Sequence, residues 1–219
     1  SKSCAEGFIH EGEPKGTYIE IADIKAYKTV AGKREDAVVV ILPDIFGIYL
    51  PNTLLIADQF ASKSGFTTYI PDILFDDQIS LEDLGSGKVD FPKWLGNHSN
   101  EITKPIVEKA LKAIKEQNPN KKICVIGYCF GAKYAVQQGS KEGIADVVAI
   151  AHPSFVTIEE VEALNVPILI SCAEIDNQFP ADKRVETQAK LQEIKATYQI
   201  DIFSGVSHGF AARGDPNDK

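Results

Sequence analysis

Lys122-Ile-Cys-Val-Ile-Gly-Tyr-Cys-Phe-Gly-Ala-Lys-Tyr-Ala-Val136 changes character in its middle, and that change decides the fold. Ile123 to Ile126 is apolar and rich in β-branched residues, as suits a strand buried on both faces. From Phe130 to Gln138 the residues are good helix formers, with no Gly or Pro after Ala132. Between them lies Gly127-Tyr-Cys-Phe-Gly131, a Gly-x-Cys-x-Gly turn with the spacing of a nucleophile elbow, Cys standing where Ser is more common. Glycines without a Cβ allow the strand and helix backbones to pass closely. The side chain of Cys129 is then raised above the sheet at the positive end of the next helix, where a thiolate is favoured. Taken alone, the pentapeptide also fits a buried Cys beside a Gly-rich turn, or a phosphate-cradling loop. Its partners must decide.

Outward from this stretch the chain alternates strand and helix signals. Thr17 to Ala22 and Ile24 to Tyr27 are short strand-like runs around Asp23, an antiparallel edge pair. Ala37-Val-Val-Val-Ile-Leu42 is continuous and apolar, as in a central parallel strand. Pro51 opens a helix that Gly65 closes, and Phe66 to Pro71 is the next strand. Residues 72 to 100 are irregular and suit a covering segment over a site. Asn100 to Ile114 is an amphipathic helix with Pro105 expected in its first turn and its Lys and Glu residues on a solvated face. Beyond the elbow come strands at Val147 to His152 and Val166 to Ala173, a helix at Ala181 to Ala196 and a last strand at Thr197 to Phe203. The whole of residues 1–219 is expected to form one domain with an α/β fold: a doubly wound, mostly parallel sheet with helices on both faces.

In such sheets, sites lie beyond the carboxyl ends of the strands. Cys129, Asp176 and His208 each follow a strand, in the order nucleophile, acid, His of the α/β-hydrolase fold. The chemistry needs all three types. His takes the thiol proton and later protonates the leaving group, while the carboxylate fixes the His tautomer. Glu174 is a rival acid, with its side chain expected on the side away from Asp176.

Composition narrows the classes. A net charge of −8 without a basic cluster argues against nucleic acid or an anionic membrane as partner, and no run of apolar residues is long enough for a membrane span. Cys4, Cys124, Cys129 and Cys172 are widely spaced, which suits free thiols in a reducing, cytoplasmic setting. Four scattered His residues without H-E-x-x-H give no metal site.

Gly127-Tyr-Cys-Phe-Gly131, Asp176 and Ser207-His-Gly-Phe210 resemble the dienelactone hydrolase family of α/β-hydrolases, as do Asp44-Ile-Phe-Gly47 and Tyr69-Ile-Pro-Asp72. Gly131-Ala-Lys-Tyr-Ala135 and Ala151-His-Pro-Ser154 are most similar to fungal and other eukaryotic members. The resemblance implies a hydrolase of small carboxylic esters or lactones without metal or organic cofactor. It implies Cys129 as nucleophile, His208 as base, Asp176 as its orienter, an acyl-enzyme intermediate, and an oxyanion hole from the backbone N–H groups of Ile45 and Phe130. Asp44 stands where bacterial members carry a Glu that pairs with the resting thiol, so the Asp44 carboxylate is expected either near Cys129, modulating that thiol, or only capping a turn after Pro43. Arg213 loosely matches an arginine that holds a substrate carboxylate. The family usually adds a helix after the region where this sequence stops at Lys219, so that helix is expected to be missing.

Further residues carry two readings each. His152 either lines the pocket or is a structural turn residue. Trp94, with Phe91, either lids the acyl site or belongs to a satellite apolar cluster. His98 is read as part of a helix-cap region. Two other classes stay open beside the hydrolase: a protein whose Cys129 is oxidised rather than acylated, and a small-molecule binding module on the same fold.

Overall fold

The computed structural model describes residues 8–32, 34–215 and 217, so the readings of Cys4 and of the end at Lys219 lie outside the described residues. The strands are β1 (Thr17–Ile21), β2 (Ile24–Thr29), β3 (Ala37–Leu42), β4 (Thr67–Pro71), β5 (Lys122–Tyr128), β6 (Val147–Ala151), β7 (Ile168–Ile175) and β8 (Tyr198–Ser207). The helices are α1 (Pro51–Ser64), α2 (Leu81–Ser86), α3 (Phe91–Asn97), α4 (Asn100–Gln117), α5 (Phe130–Gln138), α6 (Ile158–Glu162), α7 (Ala181–Glu193) and α8 (Phe210–Arg213). All eight strands join one sheet in the order β1-β2-β4-β3-β5-β6-β7-β8. β2 pairs antiparallel with β1 and β4, and every other pairing is parallel. This is the doubly wound, mostly parallel sheet of an α/β-hydrolase fold.

Alternation along the strands feeds two apolar layers. Val38, Val40 and Leu42 of β3 join a core with Ile123 and Val125 of β5 and with the buried stripe of α4, Val107, Leu111 and Ile114. Val39 and Ile41 point the other way, into a second core with Leu54 and Ala57 of α1 and Ala212 of α8. All of β3 is buried, which accounts for its unbroken apolar run.

Several element readings change. The irregular covering segment contains α2 and α3, each set by local capping. The Ser80 side chain accepts the Asp83 N–H and Gly87 closes α2, while Asp90 accepts the Lys93 N–H with Pro92 in the first turn of α3. Helices this short carry no readable period. Pro105 is the sixth residue of α4, in its second turn rather than in the first as expected. β7 starts after Pro167, which has no N–H for the ladder, and runs on to Ile175. β8 continues to Ser207 through polar residues and Gly205, held where the Glu174 carboxylate accepts the Gly205 N–H at 2.6 Å and the Ser204 hydroxyl at 3.0 Å.

The central turn leaves no room for side chains at its ends. A Cβ on Gly127 would lie 2.5 Å from the Ala132 Cα, and one on Gly131 would lie 2.2 Å from the Leu42 carbonyl oxygen of β3. Gly131→Ala is therefore expected to cost about 1–3 kcal/mol or more, since backbone must move. Gly85→Ala in α2, where a Cβ meets nothing within 4 Å, should be neutral or stabilising by up to about 1 kcal/mol. Urea unfolding of both variants checks the contrast, and equal midpoints would show that the turn tolerates a Cβ.

Candidate active site

β5 and α5 meet at Cys129, whose backbone is held at φ 49° and ψ −109°. Such a conformation costs of order 1–3 kcal/mol for a residue with a Cβ and persists only where the surroundings over-determine it. Here they do. The Cys129 N–H donates to the Ala151 carbonyl at 3.2 Å, and the Cys129 carbonyl accepts from Ser154 N–H at 3.0 Å and Ala132 N–H at 3.2 Å.

Asp176 directly follows β7, and its Oδ1 accepts the N–H groups of Gln178 at 2.8 Å and Phe179 at 3.2 Å. His208 directly follows β8. Its Nδ1 lies 3.0 and 2.9 Å from the two Asp176 carboxylate oxygens, and its Nε2 lies 3.1 Å from Cys129 Sγ. With carboxylate on Nδ1, that nitrogen carries the proton and Nε2 faces the thiol. All three side chains are buried. Glu174 points away into its contacts with Ser204 and Gly205. Burial disfavours the His208 cation, but the hydrogen bonds and charges of Asp176 and Cys129 outweigh it and raise the His208 pKa to about 10.

Ile45 follows β3 and Phe130 opens α5. Among the described residues, neither backbone N–H has an acceptor within the protein. The Ile45 carbonyl accepts the Ile79 N–H at 2.9 Å, which ties this loop to the covering segment.

Asp44 forms the turn after Pro43, as one of its two readings had it, and it takes Arg213 as a partner that the sequence did not suggest. The fully buried Asp44 carboxylate accepts the Phe46 N–H at 3.0 Å through one oxygen and binds Arg213 Nη1 through the other. It makes no hydrogen bond to Cys129, whose Sγ contacts His208 and Ser154 instead. Burial pushes the Asp44 carboxyl up, and Arg213, the Phe46 N–H and His208 pull it back. Arg213 is 4% exposed, paired with Asp44 through Nη1 and laid over the Phe46 ring at 4.6 Å, while its Nε is buried without a partner. Its guanidinium is not open to a substrate carboxylate.

His152 is fully buried at φ 36°, its ring 5.0 Å from that of His208, and neither ring nitrogen has a partner. Burial and the positive charges of His208 and Arg213 hold it well below the usual His range, so it is neutral. Trp94 belongs to the main core: its ring packs edge-on against Phe130 at 5.4 Å and its indole N–H donates to the Asp77 carbonyl. His98, expected in the cap region ahead of α4, instead closes α3, with Ser99 at the start of α4, and its ring bonds the Asp77 carboxylate at 2.9 Å.

Ser154 was not singled out from the sequence, yet its Oγ lies 3.4 Å from Cys129 Sγ. The only signal was its place in Ala151-His-Pro-Ser154 after a strand end. Of the other thiols, burial pushes Cys172 up to about 11 and also raises Cys124. A cavity of about 550 Å³ between residues 10–15 and α1 is separate from Cys129; its buried Asn52 and Asp58 are already hydrogen-bonded within the protein. Among the described residues, no His, Cys, Asp and Glu group has a metal-binding arrangement and no helix is long and apolar enough to cross a membrane.

The sequence model of the dienelactone hydrolase family matches residues 24–219. Hydrolase tropI of Talaromyces stipitatus is 40% identical over 98% of this chain and 86% of its own length. The human carboxymethylenebutenolidase homolog is 33% identical over 96% of this chain and 85% of its own. A solved structure of a putative dienelactone hydrolase from Klebsiella pneumoniae superimposes with a TM-score of 0.74 at 15% identity, covering 90% of this chain and 88% of that one, which shows the shared fold.

Two outcomes follow from the buried charges. His208 titrates near 6.5 when unfolded and near 10 when folded, so its contribution to stability is complete below about pH 6.5 and is lost as pH rises through about 10. The gap in melting temperature between wild type and His208→Gln should narrow steadily from pH 7 to 10, and a constant gap would contradict the raised pKa. Asp44→Asn leaves the Arg213 cation buried without its counter-charge and should destabilise the fold by about 3–5 kcal/mol, measured by denaturant unfolding.

Proposed function

Since the chain belongs to the dienelactone hydrolase family and is a hydrolase acting on carboxylic ester bonds, we propose that it opens small, uncharged esters or lactones through a Cys129-His208-Asp176 triad. The observation that carries this reading is the contact of Cys129 Sγ with His208 Nε2 at 3.1 Å, with the opposite ring nitrogen held by Asp176. His208 takes the thiol proton and the thiolate attacks the acyl carbon. The resulting oxyanion is met by the N–H groups of Ile45 and Phe130, donors already fixed in place before reaction. The carbon–oxygen bond to the alkoxy group then breaks, and the His208 proton goes to the departing oxygen. In a lactone that oxygen stays tethered to the acyl group. Water next attacks the thioester, giving its proton to His208, and the Cys129 thiolate leaves. Asp176 stabilises the imidazolium throughout and is not itself protonated.

The preference for uncharged substrates rests on where the cations are. Arg213 is buried against Asp44, Arg184 donates to the carbonyls of Ala173 and Phe179, and Lys133 is bound to Glu160. Recruiting Arg213 to a substrate carboxylate would break a buried ion pair, which costs several kcal/mol.

A panel of small esters and lactones, each with a carboxylate-bearing analogue, tests both statements. Wild type should favour the uncharged member by roughly tenfold or more in kcat/KM, equivalent to about 1.4 kcal/mol. Cys129→Ala should abolish turnover and the acyl adduct seen by intact mass. His208→Gln should lower kcat by about a thousandfold or more, because the triad works as a unit. Wild-type turnover in Cys129→Ala would exclude the thiol mechanism, and equal rates on the charged analogues would exclude the substrate preference.

A further inference from the structure

Cys129 Sγ has two polar neighbours, and only one belongs to the triad. His208 Nε2 is at 3.1 Å and Ser154 Oγ is at 3.4 Å. Ser154 is 2% exposed, and the sulfur is the one hydrogen-bond partner its hydroxyl has among the described residues. The contact is built into the backbone. Cys129 N–H donates to Ala151, Ser154 N–H donates to the Cys129 carbonyl, and Pro153 fixes the chain between them. Beyond Ser154, Lys133 Nζ donates to the Phe155 carbonyl at 3.3 Å and binds Glu160 at 2.5 Å, while Glu160 and Thr157 form a capping box at the start of α6. The hydroxyl is therefore held against the sulfur by the strand-end segment after β6.

We propose, taking Cys129 as the nucleophile, that Ser154 is a further catalytic residue whose hydroxyl donates a hydrogen bond to the Cys129 sulfur. The direction of the bond follows from proton counting. Asp176 on Nδ1 keeps Nε2 as the acceptor for the thiol, so a neutral thiol gives its one hydrogen to His208. The thiolate has no hydrogen to give. In both states the hydrogen between sulfur and Ser154 comes from the hydroxyl, and it strengthens when the sulfur is negative. Ser154 thus favours thiolate before attack and again when the thioester breaks and sulfur leaves as an anion. Between those steps the sulfur is uncharged and the bond weakens, so the help falls on the steps that form or release the thiolate.

The charged and titratable groups around the sulfur come from every strand end that meets there. His208 after β8 and Asp176 after β7 form the triad. The Asp44–Arg213 pair joins the end of β3 to α8, while neutral His152 follows β6 and Tyr128 ends β5. Burial pushes the Tyr128 hydroxyl far up, so it stays uncharged. Removing the Ser154 hydroxyl leaves all of these in place.

The experiment compares wild type, Ser154→Ala and Ser154→Thr by the pH dependence of iodoacetamide modification at Cys129, read by intact mass and peptide mapping, with kcat and KM on the best ester found. A hydrogen bond to an anionic sulfur at this distance is expected at the weak end of charge-assisted bonds, about tenfold. Ser154→Ala should therefore move the alkylation midpoint up by about one pH unit and lower kcat about tenfold with KM little changed. Ser154→Thr keeps the hydroxyl and should return the midpoint to within about 0.3 of wild type. Superimposable profiles for wild type and Ser154→Ala would overturn the proposal. So would equal displacement in Ala and Thr variants whose circular dichroism matches wild type, because that marks packing rather than the hydroxyl. The alkylation reading does not depend on ester turnover. Failure of the hydrolase reading would appear separately, as turnover that survives in Cys129→Ala.

Discussion

The structure turns on one backbone conformation that ordinary residues avoid. Cys129 is held at positive φ between two glycines whose hydrogen atoms face the Ala132 backbone on one side and the Leu42 carbonyl on the other. That close approach lets α5 start directly at the end of β5 and lets β3 lie alongside, so three elements converge on one side chain. The strain is borne by the central strands: β3 is wholly buried and in register with β5 over its whole length. A less embedded turn would relax, and the thiol would swing away from His208.

Around that turn, the sheet edge separates two kinds of buried charge. The Asp176-His208-Cys129 chain runs in unbroken contact from carboxylate to sulfur. The Asp44–Arg213 pair is static, with its guanidinium stacked on Phe46 and its carboxylate also tied to the Phe46 N–H. Neutral His152 lies against His208. A buried neutral ring beside His208 fills that flank without adding a competing charge, and in a low-dielectric setting this makes the Asp176 contact count for more. The strained residues Cys129, His152 and Phe155 all lie within this strand-end region. Stored backbone strain and the candidate site coincide here, as expected where surroundings must dictate geometry.

The covering segment shows how a site is closed by short elements. α3 places Trp94 on Phe130, the residue just after Cys129, and Asp77 anchors both the Trp94 indole and the His98 ring. Apolar packing and two hydrogen bonds thus fix the roof of the elbow from a part of the chain with no long helix or strand.

The sequence alone was enough for the order of elements, the elbow, and the placement of Cys129, Asp176 and His208 at strand ends, because each rests on a local rule. Unbroken β-branched runs mark buried parallel strands, and glycines two residues either side of Cys129 mark a turn with no space for Cβ atoms. Short-range rules could not find α2, α3 and α6, whose lengths carry no period, nor the extension of β8 through Gly205, which depends on pairing with β7. Partner choice among charges was also beyond it. Neither Asp44 nor Arg213 was expected as the other's partner, yet the fold brings two residues 169 positions apart into one buried pair. Glu174 was expected on the side away from Asp176, and it is there: β7 runs to Ile175, the first carboxylate goes to β8 and the second to His208. Ser154 carried no mark of its own in the sequence. Its contact with Cys129 exists because two strand ends, β5 and β6, finish side by side, and which side chains meet across such a gap is a property of the sheet rather than of either segment.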